Sequence, residues 1–183
     1  MNYDITLIIR DMSNTGGFMF QLESLGYFLD KNLNVWKRED YTNIGYNDGD
    51  AAENHLAKII RNAHDISLFS SELRDQCSDW QTLYHLSSQR GNVLRPFAHL
   101  LRGDVLEIGA GCGAISRFLG ENGGNILALE GSQRRASIAA SRTRDLKNVQ
   151  VVAERFDCFK PDRQFDAITL IGVHEYATKY ADG

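Results

Sequence analysis

The sequence predicts an α/β fold, a parallel sheet interleaved with helices from about residue 103 onward and preceded by a small α+β region. Three observations carry this. Apolar β-branched runs at 104–108, 125–130, 149–153 and 165–171 are separated by helical patterns at 114–121 and from 132 to about 146, which is the alternation that produces right-handed crossovers and one parallel sheet. The run Asn-Ile-Leu-Ala-Leu-Glu at 125–130 is nearly all apolar, as a strand covered on both faces must be. Finally, the run at 104–108 breaks into Gly109, Gly111 and Gly113 and a helical pattern follows at once.

Composition bounds the function. A chain of 183 residues, 43% hydrophobic and 24% charged, is an ordinary globular chain of one or two domains with room for a core that needs no disulfides. A net charge of −4 offers no basic face for nucleic acid. Cys77, Cys112 and Cys158 are isolated, odd in number and lack metal-ligand spacing, so they read as reduced thiols. No run approaches the ~18 apolar residues of a membrane span. The N-terminus lacks a basic-then-apolar leader. The expected location is therefore the cytoplasm, with no membrane association.

Residues 1–78 form the accessory α+β region. A β-like run covers 4–10, Gly16-Gly17 marks a turn, and 18–22 and 27–29 look like further strands before a turn at 30–32 and a strand from Asn34. A small antiparallel ribbon follows, its aromatic residues read as a core. Residues 41–49, rich in Gly and Asn, read as a linker. Asp50 and Glu53 then resemble a capping pair opening a helix whose apolar face is Leu56, Ile59 and Ile60. A second helix covers about 71–77. A third begins at Ser87 or Ser88 and stops near Arg95, because Pro96 disfavours helical geometry in the residue before it. Residues 79–183 form the second, ligand-binding domain.

The glycine turn carries the chemistry. Glycine permits φ > 0 and lets backbone approach a ligand without an intervening Cβ, and a strand-to-helix turn aims free N–H groups at whatever lies above it. Gly109-Ala110-Gly111-Cys112-Gly113-Ala114 fits G-x-G-x-x-(G/A), and Glu130 lies twenty-one positions after Gly109, at the end of the next strand. A carboxylate there accepts hydrogen bonds from ribose hydroxyls, in NAD or in any other adenosine-containing ligand. Glu107 distinguishes among these, since a carboxylate two residues before the first glycine repels a pyrophosphate and suits a cationic amino group.

At this point the chain resembles a family. Val105-Leu-Glu-Ile-Gly-Ala-Gly-Cys-Gly113 looks like motif I of class I S-adenosylmethionine-dependent methyltransferases, Ala128-Leu-Glu130-Gly-Ser like their acidic second-strand end, and Phe165-Asp-Ala-Ile-Thr-Leu-Ile-Gly-Val-His-Glu-Tyr176 like their fourth strand. The likeness covers about residues 80–177. More narrowly, Asp79-Trp-Gln-Thr-Leu-Tyr-His-Leu-Ser-Ser-Gln-Arg-Gly-Asn-Val-Leu-Arg-Pro-Phe97 is similar to bacterial methyltransferases associated with glycosyltransferases and surface polysaccharides. The resemblance implies a Rossmann-like sheet with S-adenosyl-L-methionine as cofactor. It places Glu107, Gly109, Ala110, Gly111 and Gly113 at the methionine part, Glu130 and Gly131 at the ribose, and Glu154, Arg155 and Phe156 at the adenine. Ile171 and Gly172 fall near the reacting centre, and Tyr84, His85 and Arg90 on a helix folding over the cofactor. Arg90 can pair with the cofactor carboxylate, while His85 reads first as a surface or satisfied histidine. His174, just past the fourth strand, is the candidate base if the acceptor is a hydroxyl, although the family usually has an apolar residue there.

The expected reaction is methyl transfer to a small-molecule or glycan hydroxyl, with a glycosyltransferase as partner or fused domain. Two alternatives stand beside it: an NAD(P)-binding oxidoreductase domain and a non-catalytic cofactor-binding module. Only nineteen residues follow Gln164, too few for the family's three further strands. The expectation is a chain truncated after strand four, with that strand an open edge unless something pairs with it.

Overall fold

The computed structural model of the protein describes residues 5–9, 19–45 and 49–173. Its strands are β1 (Ile5–Ile9), β2 (Phe28–Asp30), β3 (Val35–Lys37), β4 (Asp104–Ile108), β5 (Asn125–Glu130), β6 (Val149–Ala153) and β7 (Ala167–Ile171). Its helices are α1 (Asp50–Asn62), α2 (Ser71–Arg74), α3 (Trp80–Leu86), α4 (Ala114–Glu121) and α5 (Gln133–Arg142). The strands make one sheet in the order β1-β7-β4-β5-β6-β3-β2. β7, β4, β5 and β6 are parallel neighbours, as the alternation predicts.

Residues 1–78 contribute strands to both edges of this sheet. β3 runs parallel to β6 through Trp36 and Val152, and β2 closes that side antiparallel to β3. β1 pairs antiparallel with β7, Leu7 opposite Thr169. The edge left open by the sequence pattern is therefore covered from within the chain, and β1 lies at the opposite edge from the ribbon it was expected to join.

Alternate strand residues face opposite ways. Val105, Ala128, Val151 and Ala167 pack against Ile115, Phe118 and Leu119 of α4 and Ala136 and Ala139 of α5. Leu106, Leu127, Leu129 and Val152 face Phe20, Leu22, Tyr27, Phe159 and Phe165. Of the strand expected at 18–22, residues 19–21 are instead an irregular cover on this second face and Leu22 opens a 3-10 turn, while residue 18 lies outside the described residues. The Gln150 side chain satisfies both backbone groups of Phe20, accepting from its N–H at 2.7 Å and donating to its carbonyl at 3.2 Å. With its backbone satisfied by a side chain, the segment needs no ladder partner.

A third cluster joins the upstream helices to the glycine turn, through Leu56 and Ile60 of α1, Leu73, Leu86, Ile138 and Cys112. Three sequence expectations change here. α1 starts after Gly49 without a side-chain cap, and Glu53 is fully buried. The spacing 53, 56, 60 puts Glu53 on the apolar stripe, where it meets Arg134 and Arg135 of α5. α2 spans only four residues. The third helix begins at Trp80, because Asp79 and Thr82 form a reciprocal capping box, and residues 88–93 and 95–100 are 3-10 turns.

Candidate cofactor site

The site lies at the carboxyl ends of β4, β5, β6 and β7, where open α/β sheets bind ligands. Gly109, Gly111 and Gly113 all have positive φ (77°, 57° and 85°). The N–H groups of Gly109 and Ala110 donate to the Leu129 carbonyl at 2.9 and 2.8 Å, tying the turn to the end of β5. A Cβ on Gly113 would stand 2.8 Å from the Ala139 Cα, so this glycine is what lets α4 and α5 approach.

Glu107 is buried under the turn, and Ser116 Oγ of α4 donates to its carboxylate at 2.6 Å. Burial pushes its carboxyl up to about 7; the Ser116 hydrogen bond opposes this, Glu130 adds to it, and Arg90 opposes it. Glu130 faces the same turn, accepting from the N–H of Gly111 at 2.6 Å and of Ser132 at 2.9 Å. Ile171 is buried at the end of β7, and Gly172 turns with φ 69° so that Val173 lies against Gly109. The predicted residues of β4, β5 and β7 thus converge on one turn.

Upstream, the Arg90 guanidinium stacks 3.9 Å from the Tyr84 ring centroid and donates to its hydroxyl at 3.0 Å. His85 is buried and meets Tyr84 edge-on. Arg90 is close enough for its charge to act on Glu107. His85 occupies the core side of α3, while Tyr84 and Arg90 remain half-buried.

The adenine end differs from expectation. Glu154 is buried, but its carboxylate already accepts from Tyr27 Oη at 3.0 Å, Arg38 Nη2 at 2.7 Å and the Arg155 N–H at 2.9 Å. The N-terminal ribbon holds the group that was to accept from the adenine amino group, because Arg38 follows β3 directly and β3 is the neighbour of β6. Arg155 is turned to Asp157, 2.6 Å away, and Phe156 is exposed. Gly131 is covered by residues of the expected linker: its carbonyl accepts from Tyr41 Oη at 2.6 Å and from the Ile44 N–H at 3.0 Å. Sequence reasoning missed Ser116, Tyr27, Arg38, Tyr41 and Ile44. Only Ser116 had a local signal, as a hydroxyl on the first turn after the glycines. His174 lies outside the described residues.

The family model described as "Methyltransferase domain" matches residues 106–182. Ribosomal RNA small subunit methyltransferase A of Streptococcus pyogenes serotype M5 (strain Manfredo) is 44% identical over 61 residues, which are 33% of this chain and 20% of that protein. The protein of the same name from serotype M4 (strain MGAS10750) aligns with the same identity and coverage. The chain thus spans about a fifth of the length of these curated relatives. Among solved structures, the DhpI–SAH complex is 25% identical with a TM-score of 0.38, covering 63% of this chain and 50% of that one. Coclaurine N-methyltransferase bound to N-methylheliamine and SAH is 17% identical with a TM-score of 0.39, covering 63% and 39%.

The glycine turn, the two acidic strand ends and the matched segment define a nucleotide-type α/β site. Residues 106–182 match the methyltransferase-domain model, and the site they build is similar to that of class I S-adenosylmethionine-dependent methyltransferases. The site fits that cofactor at its methionine and ribose ends. Glu107 is a desolvated carboxylate whose ionisation calls for a cation, and Glu130, with two N–H partners, keeps lone pairs for ribose hydroxyls. At the adenine end Glu154 is already engaged by Tyr27, Arg38 and the Arg155 N–H, which leaves it less acceptor capacity than Glu130.

Proposed function

We propose that the protein transfers a methyl group from S-adenosylmethionine to a hydroxyl of a glycan or other small molecule, in the cytoplasm, on an acceptor supplied by a glycosyltransferase partner. The observation that carries the cofactor half is the buried Glu107 beneath a glycine turn that Glu130 also faces. The cofactor, when bound, supplies an electrophilic methyl group on a sulfonium centre. Glu107 and the Gly109–Gly113 backbone would hold its amino-acid part, and Glu130 its ribose. Arg90, on the Tyr84 ring, would meet its carboxylate as a charge-assisted partner. Ile171 and Gly172, brought to Gly109 by β7, would line the side from which the acceptor approaches. Because the methyl carbon is already activated, these residues act chiefly by positioning.

The acceptor class rests on the likeness of residues 79–97 to polysaccharide-associated methyltransferases. The ribosomal RNA substrate named for the streptococcal relatives is not carried over. Their similarity spans 61 residues, and the net charge of −4 weighs against binding along a phosphate backbone. Among the described residues, no helix is long and apolar enough to cross a membrane.

The test is calorimetric titration of S-adenosylhomocysteine and of NADH, followed by transfer of labelled methyl from S-adenosylmethionine to a panel of glycans, small alcohols and RNA. Binding of S-adenosylhomocysteine with label on a glycan or alcohol is the expected result. Tight NADH binding without response to S-adenosylhomocysteine defeats the reading. Label on RNA alone defeats the acceptor assignment.

A further inference from the structure

Gly131 has no backbone reason to be glycine, since its φ lies outside the left-handed region. A side chain there would displace Ile44: a Cβ on Gly131 would stand 2.2 Å from its Cδ1 and 3.0 Å from its Cγ1. Residues 41–44 are fastened over this spot. Tyr41 Oη and the Ile44 N–H both donate to the Gly131 carbonyl, and the Gln133 N–H donates to Asn43 Oδ1 at 2.9 Å. The strap lies where the ends of β5 and β6 meet, the Glu154 N–H donating to the Glu130 carbonyl at 3.1 Å. Tyr41 is near enough to feel both carboxylates, burial and then Glu130 pushing its phenol up to about 12.

A ligand whose ribose hydroxyls bond to Glu130 has two directions along this row of strand ends. The side toward β4 is the glycine turn and Glu107, which take the cationic amino-acid end. The base must then extend toward β6, against residues 41–44. Glu154 is held there by Arg38 and Tyr27, so an apolar surface takes more of the contact with the base.

We propose that residues 41–44 form the wall against which the adenine of the bound cofactor lies, with Ile44 supplying the apolar face that Gly131 lacks. This rests on the methyltransferase reading of the site. It gives the expected linker a binding role and makes the N-terminal region part of the cofactor pocket. Position 131 and position 44 share one volume, which only one of them fills.

The test titrates S-adenosylhomocysteine calorimetrically into the unaltered chain, Ile44→Ala, and the double variant Ile44→Ala/Gly131→Val, with ligand-free melting recorded for each. The unaltered chain binds; Ile44→Ala binds about tenfold more weakly, from loss of one partly buried apolar contact; and the double variant regains most of the loss. No binding by the unaltered chain overturns the methyltransferase reading and the wall with it. Undiminished or tighter binding by Ile44→Ala overturns the wall alone. Hydrogen exchange on the unaltered chain needs no variant: the amides of residues 42–45 slow when S-adenosylhomocysteine is added, and unchanged exchange there also overturns the wall.

Discussion

Glu107 is a carboxyl held in the wrong medium for its charge. Its value of about 7 lies above the ordinary 4.5, chiefly through burial. An acid raised in the folded state binds its proton more tightly there, so its contribution to stability is most favourable below about pH 4.5 and falls as pH rises towards 7. Urea unfolding of the ligand-free chain between about pH 5 and pH 8 should show this fall, and Glu107→Gln should remove it. A cationic ligand favours the ionised form, so binding of S-adenosylmethionine near pH 6.5 releases a proton. Calorimetry in buffers of different ionisation enthalpy reads this directly, and proton uptake would contradict it. Arg142 is a second misplaced charge. It is fully buried, donates to the Ser67 carbonyl at 3.3 Å, and has Nε and Nη1 without a hydrogen-bond partner among the described residues. Burial, and then Arg117, lowers its value to about 10. Replacing a buried, poorly paired charge by an apolar group of similar volume is often stabilising by ~1–4 kcal/mol. Arg142→Met should therefore keep or raise the melting temperature, and a clear drop would show that the charge is needed.

The glycine turn joins two helices as well as two strands. Gly113 combines φ 85° with a backbone neighbour, Ala139 Cα, 2.8 Å from where a Cβ would sit. Backbone cannot yield as a flexible side chain can. Gly113→Ala should thus cost more than the ~1 kcal/mol of left-handed strain alone, seen as a lower denaturation midpoint, and should weaken S-adenosylhomocysteine binding by displacing α4. An unchanged midpoint would mean that α5 moves freely. Gly111 differs, because its virtual Cβ meets the Arg135 guanidinium at 3.2 Å. Elements of this kind were legible in sequence: the strand–turn–helix pattern at 104–121 is set by local periodicity and by glycines with distinctive torsion angles. The start of α3 lies at the Asp79–Thr82 capping box and not at Ser87 or Ser88, where the sequence pattern puts it. Asp and Glu at a helix start fit a cap and a buried ion pair equally well, and for Glu53 only its register with Leu56 and Ile60 separates the two.

At the scale of the whole molecule, the N-terminal region holds both sides of the cofactor-binding sheet. β1 covers the β7 edge over five residue pairs, from Ile5 opposite Ile171 to Ile9 opposite Ala167. An unpaired apolar strand edge is a template for association. A proline in β1, such as Leu7→Pro, removes an N–H and bends the strand. It should shift the protein to larger species in gel filtration and light scattering, and a monodisperse variant of unchanged size would show that β7 does not need this cover. At the other edge, Arg38 and Tyr27 neutralise and bury Glu154. The same ribbon that extends the sheet thereby engages a polar group at its β6 end.

The sequence by itself determined the alternation of strands and helices, the glycine turn, and the carboxylates at positions 107 and 130, because each follows from a local pattern or a short fixed spacing. Only the tertiary structure decided what the N-terminal region meets. Glu154 lies 116 positions from Arg38, Gly131 lies 87 from Ile44, and β1 reaches β7 across most of the chain. No periodicity relates residues so far apart. Their pairing comes from how the sheet closes its edges and fills its volume.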